Sequence, residues 1–202
     1  MLVESVMTRQ VATIEPRRSA ASAAELMHTR RFRHLPVVHN QHLVGIVSDR
    51  DIVGREDCAV ADVMHHDVIT VTPDAPIEVA AALMLDNKIG ALPVVAEGAP
   101  DLVGIVTQSD LFGVLVQLLG ADRPSTRLEL HLEDLSHQLS QIAALADRLT
   151  VPITSLVTLP AADHHTRRRI VVLRVGTIVA GPLVAALRQA GIAVNMPADA
   201  NA

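Results

Sequence analysis

The sequence predicts a mixed α/β (α+β) protein in which a β-α-β-β-α unit occurs twice in tandem and a third, β-α-β-β-α-β unit follows. Three observations carry this. Gly45-Ile46-Val47-Ser48-Asp49-Arg50-Asp51 returns as Gly104-Ile105-Val106-Thr107-Gln108-Ser109-Asp110. Around that segment Val6-Met7 returns as Val63-Met64, Thr13 as Thr70, Pro16 as Pro73, Leu26-Met27 as Leu83-Met84, and Leu35-Pro36-Val37-Val38 as Leu92-Pro93-Val94-Val95. Half of the 202 residues are apolar, enough for a buried core and one or two compact domains. The offset between the copies is constant up to the Leu-Pro-Val-Val block and two residues longer after it, so Glu97 to Asp101 form a lengthened turn in a duplicated fold.

In the first copy, Val11 to Ile14 reads as a short extended piece. Ser19 opens a helix whose Ala23, Leu26 and Met27 share one face. Arg33 to Val38 and His42 to Val47 are strands rich in β-branched residues, joined by the turn His39-Asn40-Gln41. A helix starts after Ser48. The second copy repeats the order: Val68 to Val71 extended, a helix from about Pro76 to Asn87, strands at Ala91 to Val95 and Leu102 to Val106, and a helix after Thr107. Each unit covers only one side of its sheet with its own helices, so the two should pack sheet against sheet as one domain. The repeats are placed at 1–58 and 59–120, with a polar linker at 121–126.

The third unit spans 127–197, with a fraying tail at 198–202. Leu128, Leu130 and Leu132 alternate with polar residues, the mark of a strand with one wet face. Leu135, Leu139, Ile142, Leu145 and Leu149 follow at helical spacing. Ile153 to Leu159 and Arg169 to Val175 read as strands around a loop at Pro160 to Thr166. Pro182 pre-sets a helix that Gly191 ends, and Ile192 to Val194 close the sheet. This order is ferredoxin-like.

Composition excludes some functions. There is no Trp or Tyr, the only aromatics are Phe32 and Phe112, and the formal net charge is -5. A grip on nucleic acid by stacking over a basic groove is therefore not expected. Arg30-Arg31 and Arg167-Arg168-Arg169 read as solvated faces. The single Cys58 cannot form an internal disulfide, which fits a reducing compartment. The first residues lack a basic-then-apolar leader, and no apolar run approaches the ~18 residues of a membrane span. A soluble, cytoplasmic protein that does not contact membrane is the expectation.

The repeated segment has two readings. Ser48-x-x-Asp51 and Thr107-x-x-Asp110 each match a capping box, in which hydroxyl and acid satisfy free amides at a helix start. The same geometry offers amides and a hydroxyl to phosphate, while the Asp suits the vicinal hydroxyls of a ribose. A purine would need a flat slot, which Ile14, Val71, Pro36, Pro93, Ile46 and Ile105 can supply with aliphatic walls. Backbone groups beside Thr13 and Thr70 would read the base edge.

The combined pattern of Val-Met, Thr-(Ile/Val)-x-Pro, Leu-Pro-Val-Val and Gly-Ile-Val-(Ser/Thr)-x-x-Asp resembles the CBS motif, over about Leu2 to Leu119. The resemblance implies a Bateman module, a CBS pair that binds adenosine-containing ligands such as AMP, ADP, ATP, S-adenosylmethionine or NAD between its repeats. It implies that Ser48 and Thr107 contact phosphate and that Asp51 and Asp110 hold ribose. In the family, basic residues just before Leu-Pro often contact phosphate. Here they are Arg33-His34 in one copy and Gly90-Ala91 in the other, so the clefts are unequal and phosphate-rich ligands should prefer the first. The third unit is similar to an ACT domain, with Asp134 and Leu139 matching its Asp-x-Pro-Gly-x-Leu turn but Ser136 and His137 replacing Pro-Gly. The family uses that glycine for close backbone approach to its amino-acid ligand, and here the His137 side chain occupies the space. Dimerisation through the sheet or helices is expected to cover the unit's exposed face. The whole arrangement resembles CBS-plus-ACT proteins of the acetoin-utilisation AcuB type.

The expectation is a non-catalytic sensor with no obligatory cofactor and no metal, an adenine nucleotide as regulatory ligand, and a regulated protein that no residue encodes. A structural adaptor or an ACT-type amino-acid sensor is the alternative. An enzyme would have to use His65-His66-Asp67 or Asp163-His164-His165, and neither cluster has the spacing of a recognisable metal site.

Overall fold

The computed structural model describes residues 1–159 and 169–196. The loop at Pro160 to Thr166, Arg167-Arg168, Asp163-His164-His165 and the tail at 198–202 lie outside the described residues. Two compact units are present, one over Met1–Gly113 and one from Val114 onward.

In the first unit, helix α1 (Ala20–Arg30) starts at Ser19, whose hydroxyl oxygen accepts from the Ser22 amide at 3.2 Å. It buries Ala20, Ala23 and Met27 and ends at Arg31 with φ 58°. Strands β1 (His34–His39) and β2 (His42–Ser48) form an antiparallel hairpin. Its turn is shorter than the three residues expected. His39 pairs with His42, and Asn40 and Gln41 alone turn the chain at φ 51° and 71°, the left-handed pair that matches the twist of a two-residue hairpin. Leu35, Val37 and Val47 point into a core with Ile14, Ala23, Met27, Ile52 and Val60. Each such fully buried Val or Leu contributes roughly 1.5–3 kcal/mol. After β2 come two single-turn helices, α2 (Asp49–Ile52) and α3 (Val60–Val63).

The second copy repeats the plan: α4 (Ile77–Asn87), the hairpin β3 (Ala91–Val95) with β4 (Leu102–Thr107), and α5 (Gln108–Leu118). The extended pieces predicted at Val11 to Ile14 and Val68 to Val71 shrink to single parallel bridges, Ile14 to Val37 and Val71 to Val94. Pro16 and Pro73, which have no amide to donate, come two residues later and stop the pairing.

The openings of the two repeats are exchanged. Val3 donates its amide to Ala75 O at 2.9 Å and Glu4 to Pro73 O at 2.9 Å, both in the second copy. The equivalent Val60 and Ala61 donate to Arg18 O and Pro16 O, at 2.8 and 3.0 Å, in the first. Thr8 then bridges to Ile105 on the edge of β4, and His65 bridges to Ile46 on the edge of β2. Each opening thus completes the other repeat's sheet. The glycines of the repeated segment explain why the fit is close. A Cβ on Gly45 would lie 2.6 Å from Met64 Sδ, and one on Gly104 would lie 2.6 Å from Met7 Sδ. The Val-Met and Gly-Ile-Val ends of the motif are therefore one packing element.

The repeats also touch elsewhere. Leu43 donates its amide to Pro100 O at 2.9 Å, and His42 Nδ1 lies 2.9 Å from Asp101 Oδ1. Pro36 and Pro93 lie between core-facing neighbours on their strands yet are buried as well, so both sheet faces are covered.

In the second unit the described elements are β5 (Thr126–Leu132), α6 (Leu135–Arg148), β6 (Ile153–Leu159), β7 (Arg169–Val175), α7 (Gly181–Gln189) and β8 (Ala193–Asn195). The order is the predicted β-α-β-β-α-β, and the antiparallel sheet runs β6-β7-β5-β8. Leu128, Leu130 and Leu132 of β5 pack against Ile142, Val171, Leu173 and Leu183. The alternate residues make the wet face, with Arg127 Nη2 3.2 Å from Glu129 Oε2. Asp134 caps α6 by accepting from the His137 amide at 3.1 Å. Gly191, at φ 78°, comes just after the end of α7.

Candidate functional site

The two repeated segments fold alike around their carboxylates. Ser48 donates both its amide, at 2.7 Å, and its hydroxyl, at 2.6 Å, to Asp51 Oδ2. Thr107 does the same to Asp110 Oδ2, both at 2.7 Å, and the Asp110 amide donates to Thr107 Oγ1 at 3.4 Å. Residues three apart at a helix start face each other, so the strand end orients the acid. The hydroxyl proton is directed at the carboxylate, and a phosphate would have to take it over.

The helices behind these motifs differ. α5 has eleven residues, whereas α2 has four and ends before Gly54, whose φ is 74°. The first copy therefore presents a single helical turn behind its motif and the second presents three, so the two helix starts are not equivalent.

Asp51 has a further partner, His65, whose Nε2 lies 3.0 Å from Oδ1. Partial burial alone would raise the Asp51 pKa. The hydrogen bonds from the Ser48 hydroxyl and amide and from His65 outweigh it, and the pKa falls below the ordinary carboxylate value. Sequence reasoning placed His65 only in a loop cluster. The available signal was its position directly after Val63-Met64, where the first copy has Thr8.

Arg33 and His34 adjoin the first motif. The Asp49 amide donates to Arg33 O at 3.0 Å, and His34 is the cross-strand partner of Ser48. Arg33 is exposed, and among the described residues its guanidinium has no ion-pair partner. The His34 ring is half-buried against the second repeat: a Cβ on Gly90 would lie 2.8 Å from its Cε1. Gly90 thus makes the room that His34 occupies, a role sequence reasoning did not find. Burial lowers the His34 pKa, opposed by the charge of Asp49 and assisted by that of Arg33.

The expected apolar walls form two matching rows. Pro36 pairs with Ile46, and Ile14 donates its amide to Pro36 O at 3.1 Å. Pro93 pairs with Ile105, and Val71 donates to Pro93 O at 3.2 Å. Thr13 and Ile14 also border a cleft of about 480 Å³ closed by Arg18, Ser22, Glu25, Leu26 and Thr29 of the α1 region. A smaller cleft of about 270 Å³ lies between Arg9, Val11, Thr13 and Val38 and the second repeat's Asp101 and Leu102. Ser48, Asp51, Thr107 and Asp110 border neither cleft. Thr70 is half-buried next to Val71.

Among the described residues no three His, Cys, Asp or Glu side chains converge as a metal site, and no helix is long and apolar enough to cross a membrane.

A duplicated α/β unit with paired hydroxyl and carboxylate groups at each strand end defines the class, and comparison with known sequences assigns the family. The CBS domain profile matches residues 3–56 and 60–117, more than half of the chain. The protein belongs to the CBS-domain family. It is similar to the CBS pair of protein MJ0100, solved in complex with 5′-methylthioadenosine and S-adenosyl-L-methionine, at 28% identity and TM-score 0.54 over 57% of this chain and 95% of that one. It is similar to CBSX2, solved with AMP, at 28% identity and TM-score 0.54 over 57% and 96% of the two chains. A Vibrio cholerae protein assigned to acetoin utilization (AcuB) matches at 36% identity and TM-score 0.54 over 61% and 98%. Among curated sequences, inosine-5′-monophosphate dehydrogenase of Korarchaeum cryptofilum is 31% identical over 86% of this chain, which spans only 43% of that enzyme's length.

Proposed function

We propose that the protein is a non-catalytic regulatory sensor that binds an adenosine-containing ligand, AMP, ADP, ATP, S-adenosylmethionine or NAD, between its CBS repeats. The observation that carries this reading is the pair of carboxylates, Asp51 and Asp110, each oriented by a hydroxyl and an amide in a CBS pair. Asp51 and Asp110 accept from ribose, and Ser48 and Thr107 turn to phosphate when it arrives. Ile14, Pro36 and Ile46 in one copy and Val71, Pro93 and Ile105 in the other flank the base, whose edge is read by backbone beside Thr13 and Thr70. Arg33 and His34 serve the phosphates. The ligand shifts the protein between two arrangements by its differential affinity, typically ~1–3 kcal/mol. The second unit acts as an ACT-like dimerisation and relay domain, in a cytoplasmic homodimer of AcuB type acting on a partner protein. Solved CBS pairs with AMP, 5′-methylthioadenosine and S-adenosylmethionine support the ligand class.

A thermal-shift panel of these nucleotides and of amino acids tests it. The true ligand raises stability by ~2.7 kcal/mol at a hundred times its dissociation constant. Silence with every adenosyl compound refutes the sensor. A response to amino acids alone moves sensing to the second unit. With a responding nucleotide, Arg33→Ala should weaken ATP about tenfold, since a charge-assisted hydrogen bond is worth ~1.5–3 kcal/mol. Unchanged ATP affinity removes Arg33 from the site.

A further inference from the structure

We infer that His65 is a latch on Asp51 that ribose must displace, so that the two carboxylates differ in readiness and a phosphate-free adenosyl ligand fills the Asp110 side first. This rests on the adenosyl-sensor reading. In both copies Oδ2 already accepts an amide and a hydroxyl, which use its two in-plane lone pairs, and Oδ1 is the oxygen left for a sugar hydroxyl. In the first copy His65 Nε2 lies 3.0 Å from that oxygen. An ionised carboxylate only accepts, so Nε2 donates. In the second copy, among the described residues, no hydrogen bond reaches Asp110 Oδ1.

The difference comes from the exchanged openings. His65 and Thr8 occupy equivalent places, each bridged to its strand edge by two backbone hydrogen bonds, His65 with Ile46 and Thr8 with Ile105. The imidazole spans the distance to the carboxylate, whereas the short Thr8 side chain makes no hydrogen bond to Asp110. His65 is largely exposed, at 68%, and can swing into solvent, while Asp51 is held at 19%. The latch therefore opens by side-chain rotation alone. Phosphorylated ligands recover the loss at the first copy through Arg33 and His34, and phosphate-free ones do not.

Calorimetric titration of the full chain with adenosine and with AMP tests the assignment. Asp110→Asn should remove most adenosine binding, and Asp51→Asn should remove little. In the Asp110→Asn background, His65→Thr should tighten adenosine at the first copy about three- to tenfold, the worth of one partly exposed hydrogen bond to a charge. His65→Gln, which keeps an amide donor at similar reach, should restore the weaker affinity, whereas a merely structural His65 would not distinguish Thr from Gln. Equal losses from Asp51→Asn and Asp110→Asn, or a His65→Thr effect within twofold, would overturn the latch and leave the sensor standing. Absence of any adenosine or AMP binding in every variant would overturn both.

Discussion

Gly54 and Gly113 hold the same place in the two repeats, yet Gly54 ends a four-residue helix at φ 74° and Gly113 lies inside an eleven-residue one. The residues on the C-terminal side of each glycine account for the difference. Arg55-Glu56-Asp57 has no apolar face to bury, whereas Val114 is buried and extends the helix. A similar divergence runs around the site, with Arg33-His34 against Gly90-Ala91 and His65 against Thr8. The core-facing strand positions did not diverge: Leu35 and Leu92, Val37 and Val94, Val47 and Val106 are all fully buried, whereas the buried helix starts Ala20 and Ile77 differ. Close packing holds these strand positions to one shape, while Arg33, His65 and Thr8 are exposed and carry no such constraint.

If the cores are equivalent, Leu35→Ala and Leu92→Ala should each cost about 2–5 kcal/mol and differ from one another by less than about 1. Urea denaturation monitored by circular dichroism measures both, and a much larger gap would mean that one repeat carries the unit's stability. A smaller effect probes the exchanged openings. Gly104→Ala places a Cβ 2.6 Å from Met7 Sδ and 3.2 Å from Thr8 O, and should destabilise by about 1–3 kcal/mol. Because Met7 supplies the nearest atom, the penalty should shrink markedly in a Met7→Ala background. An additive double mutant would show that the two do not press on each other.

The smallest expected effect concerns pH. Asp51 has a native pKa below its ordinary value, so its ionised form adds stability above the unfolded-chain pKa, and that contribution disappears as pH falls through the native value. Asp51→Asn should therefore lower stability at about pH 6 and leave a smaller deficit at about pH 3. A deficit independent of pH in thermal melts would assign the loss to shape instead of charge.

Much of the fold was legible in residues that are neighbours in the chain. The alternation of Leu35, Val37 and Val47, the Ser19 cap, and the facing of Ser48 to Asp51 and of Thr107 to Asp110 all depend on short spacings set by strand period and helix capping. The site was less legible. His65 at Asp51 joins residues fourteen apart, and His34 against Gly90 joins the two copies. Neither spacing belongs to a helix or strand period, so no periodicity announces it.

By itself, then, the sequence determines the duplicated β-α-β-β-α units, their cores and their hydroxyl-carboxylate pairs, because each arises from local period and capping chemistry. Only the tertiary structure decides that Met7 covers Gly104 and Met64 covers Gly45, and with it that His65 meets Asp51 while Thr8 stands beside β4, the strand that precedes Asp110. The two openings share the apolar residues that pack, Val3 with Val60, Val6 with Val63 and Met7 with Met64, so those residues do not choose between the two glycines. The choice lies in backbone hydrogen bonds such as Val3 to Ala75 and Val60 to Arg18, which exist only once the repeats have come together.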